Sequence, residues 1–280
     1  MNVAHAVPVV FDYEGDPLVG VCNVPAVTPS HGVLVLVGGP QYRVGSHRQF
    51  ALLARVFSQR GIAAMRFDFC GMGDSDGPDR GFRGHGGEIC AAIDEFVRVV
   101  PSLSNVVLWG LCDGASAALL YATGDKRVSG IVLLNPWVRS EAGLAKTRLK
   151  HYYLARLFDR GFWHKLARGG VDLARASGGL LDVVRRGWGG APAPASSFQT
   201  HMAQGWRSFA GPILLVLSGA DLTAKEFLIH TQSDPAWAGL LGEARVVRRD
   251  LVEADHTFSR AAWRNRVVDW CAEWMAEWIH

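Results

Sequence analysis

The pentapeptide Gly110-Leu111-Cys112-Asp113-Gly114 is where this chain has the clearest capacity for chemistry. Cys112 stands between an apolar run, Val106–Trp109, and a helix-forming stretch that opens at Asp113. A nucleophile on such a strand–turn–helix connection needs small residues two places before and two places after it, where a side chain would strike the crossing backbone. Gly110 and Gly114 meet that need. The helix N-terminus behind the cysteine supplies positive potential, which favours the reactive thiolate. The backbone N–H of Asp113 would point at the oxyanion of a tetrahedral intermediate.

A nucleophile of this kind needs a base, and the base needs an acid to orient it, in the chain order nucleophile, acid, histidine. Asp221 follows the apolar run Ile213–Leu217, and His256 follows Arg245–Arg248 in Glu253-Ala254-Asp255-His256-Thr257-Phe258. Both stand where a strand ends, the position at which sites gather in open α/β sheets. Cys112, Asp221 and His256 are therefore the candidate catalytic residues. Asp250 and Asp255 are competing acids, and the ordinary structural alternatives are helix caps at Asp221 and Asp255. A second oxyanion donor would come from the loop after Val33–Val37. Pro40 has no N–H, which leaves Gly39 or Gln41, and residue types do not choose between them.

The stretch Asp68-Phe69-Cys70-Gly71-Met72-Gly73-Asp74-Ser75 reads as a tight loop after a strand, with Asp68 bonding backbone. No Lys-Ser/Thr follows its glycines, as a phosphate loop would require. The five cysteines are scattered and no histidine pair has metal-ligand spacing on a helix, so neither a metal nor another cofactor is expected.

These residues have to be held by something. Short β-branched runs (Val9–Tyr13, Leu18–Asn23, Val33–Val37, Ile62–Phe67, Val106–Trp109, Ser129–Leu134, Ile213–Leu217, Arg245–Arg248) alternate with amphipathic stretches at Arg48–Arg60, Gly87–Val100, Asp113–Thr123 and Arg260–Ile279. The alternation predicts an α/β fold with a mostly parallel central sheet and helices on both faces. It breaks between Trp137 and Trp206, where a helical insertion is expected to form a cap over the site. The expected division is a core of 1–136 and 207–280 with a cap of 137–206. From Val138 to Gly190 there are eleven Lys/Arg and four Asp/Glu, a local charge of +7 in a chain whose total is +3. Within it, Thr147–Lys165 interleaves basic with apolar and aromatic residues. That pattern suits packing on the core, an anionic substrate, or peripheral contact with an anionic membrane surface.

Composition narrows the field. With 280 residues, 49% hydrophobic and 20% charged, the chain can bury a large core, which excludes disorder and a disulfide-stapled miniprotein. The small net charge gives no reason to expect nucleic acid as a partner. The longest apolar runs, such as Val33–Val37, fall far short of the ~20 residues of a spanning helix. Met1–Phe11 lacks a basic region and carries Pro8, unlike a signal peptide, and the odd cysteine count suits a reducing compartment; the expected location is the cytoplasm.

Taken together, the elbow, the Asp68–Ser75 loop and the late Asp and His resemble the α/β-hydrolase superfamily over nearly the whole chain. More narrowly, the stretch Gly38–Gln49, the elbow and Asp255-His256-Thr257-Phe258 resemble the first type of exosortase-A-system-associated hydrolases. That resemblance implies a setting in exopolysaccharide and protein-sorting systems of Gram-negative bacteria, and fixes no substrate. The cysteine is similar to that of dienelactone hydrolases and some thioesterases and acyltransferases, where most relatives carry serine. The expected activity is cleavage of a small-molecule ester or thioester through a Cys-His-Asp triad and a covalent acyl-enzyme. An acyltransferase, or a binding protein that keeps the fold without turnover, are the alternatives.

Overall fold

The computed structural model describes residues 4–39, 41–139 and 197–279. Eight strands form one sheet in the order β1-β2-β4-β3-β5-β6-β7-β8. They are β1 His5–Tyr13, β2 Asp16–Val24, β3 His31–Leu36, β4 Ala63–Phe67, β5 Asn105–Leu111, β6 Val128–Leu134, β7 Ile213–Ser218 and β8 Val246–Leu251. The β1–β2 hairpin pairs antiparallel with itself and with β4, and the other pairings are all parallel. Parallel strands need crossovers, and helices α1 Gln49–Gln59, α2 Gly86–Val99, α3 Asp113–Tyr121, α4 Phe198–Ser208 and α5 Leu222–Ser233 lie in them, while α6 Ala261–Ala276 follows the last strand.

Alternate residues along each central strand build two separate cores. Leu34, Leu36, Leu108, Ile131, Leu133 and Leu215 face one way with α2, α3 and α4. Val33, Val35, Val107, Trp109, Val132 and Val216 face the other way with α1 and α6. This two-sided burial is why the central strands read as unbroken apolar runs. The outer strand β8 has three exposed positions, Arg248, Arg249 and Asp250, and so carries the weakest strand pattern.

The chain divides into two compact units, Met1–Val138 with Phe198–His280, and Arg139–Ser197. Nearly all of the second unit, including Thr147–Lys165 and most of the expected cap 137–206, lies outside the described residues. The return to the first unit comes earlier than Arg207, because α4 packs on α3. Met202, Ala203 and Trp206 are buried, and Gly205 lies so close to α3 that a Cβ there would be 2.1 Å from the Leu119 carbonyl. Among the described residues no helix is long and apolar enough to cross a membrane, and no group of three His, Cys, Asp or Glu could hold a metal ion.

Candidate active site

The site assembles at the C-terminal ends of the parallel strands. β5 ends at Leu111 and α3 starts at Asp113, so one residue, Cys112, makes the whole turn. It does so at φ 60°, ψ −124°, a conformation that L side chains rarely adopt. The neighbouring glycines are what permit it. A Cβ on Gly110 would lie 2.4 Å from the Gly114 carbonyl, and one on Gly114 would lie 2.4 Å from the Leu36 carbonyl. Cys112 is half-buried at the N-terminus of α3 and makes no side-chain capping bond there.

His256 and Asp221 come from two separate loops. Asp221 stands just beyond β7 and caps α5, accepting the N–H groups of Thr223 and Ala224 at 3.1 Å each. The same carboxylate meets His256, with Nδ1 2.8 Å from Oδ2. Capping and imidazole orientation therefore coexist in one buried side chain. The bond to Asp221, and then a bond to the Cys112 side chain, push the His256 pKa up to about 10 against the opposing effect of burial. Asp221 is held below the usual carboxylate range; burial pushes it up, and the bond and charge of His256 together with the Ala224 and Thr223 N–H groups outweigh that push. The competing acids point elsewhere. Asp255 folds its own loop by accepting the N–H groups of Thr257 at 3.2 Å and Ser259 at 3.0 Å, together with the Ser259 hydroxyl. Asp250 pairs with Arg248.

On the opposite side of Cys112 lies the loop after β3. Gly38 packs against the elbow so closely that a Cβ there would be 2.2 Å from the Leu111 carbonyl. Neither expected donor is free. The Gly39 N–H donates to Asp113 Oδ1 at 2.5 Å, and the Gln41 N–H donates to the Gly39 carbonyl at 2.7 Å. A cavity of about 510 Å³ opens beside this loop, lined by Gln41, Tyr42, Met72, Phe82, Asp79 and Asp113 among others. That is room for a small acyl group.

The family model described as serine aminopeptidase, S33, matches residues 28–173, just over half of the chain. The chain belongs to this family. No curated protein matches it. Among solved structures, an esterase from Pyrococcus furiosus is similar at TM-score 0.64 and 15% identity, with 99% of this chain and 94% of that one covered. A dienelactone hydrolase from Anabaena variabilis is similar at TM-score 0.62 and 14% identity, with 99% of each chain covered. An alpha-beta serine hydrolase homologue from Coxiella burnetii gives TM-score 0.58 and 14% identity over 95% of this chain and 96% of that one. Such distant likenesses establish the fold, which is that of the α/β-hydrolases. The S33 family is named for serine enzymes, and this member carries Cys112 at the elbow.

Two positioning groups of this S33 member, Asn135 and the Arg43 partner of Asp68, escaped the reading of residue types. Asn135, fully buried at φ 45° just after β6, donates to the His256 carbonyl at 3.1 Å and to Ser218 Oγ at 3.0 Å, and accepts the Ser218 N–H at 2.9 Å. It ties the histidine loop to the end of β7. Asp68, fully buried, pairs with the Arg43 guanidinium, accepts the Asp74 N–H at 3.0 Å, and accepts the Arg43 N–H at 2.5 Å. The Asp68–Ser75 loop therefore anchors the loop after β3 as well as turning the chain. The legible signal was an aspartate at a strand end; its partner Arg43, 25 residues earlier, gave none.

Proposed function

We propose that the protein cleaves small-molecule esters or thioesters with Cys112 as nucleophile, His256 as general base and acid, and Asp221 as the orienting carboxylate. The observation that carries this reading is the His256 Nδ1–Asp221 Oδ2 pair at 2.8 Å beside a cysteine held at φ 60° between two obligatory glycines. Cys112 Sγ attacks the acyl carbon while His256 holds the thiol proton, and the electron pair of the carbonyl moves onto oxygen. The carbonyl re-forms, the bond to the leaving oxygen or sulfur breaks, and the proton passes from His256 to the leaving group. Water then gives a proton to His256 and attacks the thioester, and the proton returns as Cys112 leaves. Asp221 keeps the proton-bearing Nδ1 pointed at itself, so that Nε2 faces the thiol and the water.

The sequence resemblance to exosortase-associated hydrolases supports a setting in exopolysaccharide and protein-sorting systems and leaves the substrate open. The reading of an anionic substrate or a membrane-surface contact rests on the composition of Thr147–Lys165 alone. A panel of aryl-ester, acyl-CoA and acetylated-sugar substrates, run with wild type and Cys112→Ala, tests the reaction. Iodoacetamide mapping tests the nucleophile. Burial pushes Cys22 and Cys271 up to about 12 and Cys70 up to about 11, so Cys112 is expected to be alkylated ahead of these three and to be protected by substrate. Turnover by Cys112→Ala at the wild-type rate would overturn the assignment.

A further inference from the structure

One of the N–H groups expected to serve an oxyanion, that of Gly39, is already bonded to a side chain of the chain itself. Asp113 opens α3 immediately after Cys112, so its N–H faces the side of the elbow where the oxyanion would develop. Its carboxylate folds towards the loop after β3, where Oδ1 accepts the Gly39 N–H at 2.5 Å. The fit is close, since a Cβ on Gly38 would lie 2.4 Å from Oδ1. The next two residues offer no replacement: Pro40 has no N–H, and that of Gln41 is engaged by the Gly39 carbonyl.

We propose that the Asp113 carboxylate is an internal occupant of the oxyanion hole, competing with the substrate's oxyanion for the Gly39 N–H, and that turnover proceeds from the form in which Asp113 is neutral. This rests on the reading of Cys112 as the nucleophile. Two anions cannot share one set of donors without strong repulsion. A neutral carboxyl instead keeps Oδ1 as a weaker acceptor and turns its O–H into a further donor for the oxyanion, as protonated aspartates do in other oxyanion holes. The surroundings favour that form. Burial raises the Asp113 carboxyl above the usual range and outweighs the opposing pull of the Gly39 N–H bond and, more weakly, of His85 just before α2. The remaining titratable groups nearby are Glu88 one turn further along α2, Asp79 and Tyr42 around the cavity, and the Cys112–His256 pair.

The test uses the full chain with p-nitrophenyl butyrate across a pH series. Wild-type kcat is expected to fall as pH rises through the titration of Asp113. Asp113→Asn is nearly isosteric and keeps an acceptor for Gly39. It should remove that fall and raise kcat about tenfold at alkaline pH, part of the roughly 10²–10³ that one oxyanion-hole donor contributes. A second readout needs no turnover: an alkyl trifluoromethyl ketone adds to the thiol and places an oxyanion in the hole. By fluorine NMR it should bind Asp113→Asn at least tenfold more tightly than wild type. Superimposable pH profiles, unchanged ketone affinity, or a more than tenfold loss of kcat in Asp113→Asn with Cys112 alkylation intact would each overturn the proposal. The last outcome would make Asp113 a clamp for the β3 loop. An active Cys112→Ala would sink the nucleophile assignment instead, and so separates the two failures.

Discussion

The two flanks of Cys112 are built in opposite ways. On the histidine side every polar group serves the imidazole: Asp221 takes Nδ1, Asn135 holds the backbone of His256, and Asp255 shapes the loop that presents it. On the other side the donors that chemistry would call on bond to the chain's own acceptors, with Gly39 given to Asp113 and Gln41 given to Gly39. One flank is assembled from side chains, the other from main-chain N–H groups. The first has its hydrogen bonds in place around the imidazole; on the proposed reading, the second has to be released.

The comparison breaks most sharply at Asp221. If the histidine flank is as complete as its geometry, Asp221→Asn should lower kcat by about 10⁴, because the amide no longer selects the tautomer that leaves Nε2 free to take the thiol proton. Asp255→Asn should stay within about tenfold of wild type, since Asp255 touches only its own loop. Steady-state kinetics of the two variants decide between them, and an inactive Asp255→Asn beside an active Asp221→Asn would reverse the assignment.

On the oxyanion flank the corresponding test is structural. Asp68 is fully buried against Arg43, which is 16% exposed. Asp68→Ala leaves Arg43 only the exposed Asp74, 2.7 Å away, and strips the Arg43 and Asp74 N–H groups of their acceptor, so it should cost up to about 3–5 kcal/mol, read as a lowered denaturant midpoint. Asn135→Ala, which leaves the Ser218 N–H and the His256 carbonyl without their partner, should cost a smaller ~1–3 kcal/mol. If Asn135→Ala destabilises the protein more than Asp68→Ala does, the oxyanion loop is not the flank held by a buried charge.

The same contrast explains what the sequence made legible. Cys112, Asp221 and His256 could be picked out because their chemistry resides in the side chain and their positions follow apolar runs. The state of Gly39 and Gln41 could not, because the direction of an N–H is set by φ and ψ, and no residue type encodes which acceptor it finds. Arg43 and Asn135 were missed for a related reason. Each acts through a partner 25 or 83 residues away, and only the sheet order brings those partners together. Strand cores were legible from two-sided burial, whereas β8, exposed at Arg248–Asp250, was expected to end at Arg248 and runs to Leu251. Residues 198–206 fall in the expected insertion because the strand–helix alternation breaks from Trp137 to Trp206; that α4 packs on α3 depends on the contact at Gly205.

The finest expected difference between the flanks lies in how stability depends on pH. The folded pKa of His256 lies above its unfolded value of about 6.5, so its contribution is fully present below that value and fades as pH rises towards about 10. Asp221 is depressed, so its contribution is present above the usual carboxylate pKa and fades as pH falls below it. Asp113 is shifted the other way. Its folded form holds a proton that the unfolded chain has already released, so stability falls as pH rises through the carboxylate range. The two carboxylates on either side of Cys112 thus tilt the acid limb in opposite senses. Urea titrations from about pH 3 to pH 6 should show a flatter acid limb in Asp221→Asn and a steeper one in Asp113→Asn, each relative to wild type. Equal slopes in the two variants would mean that the carboxylates sit in like environments, and the contrast between a completed flank and an occupied one would lose its electrostatic basis.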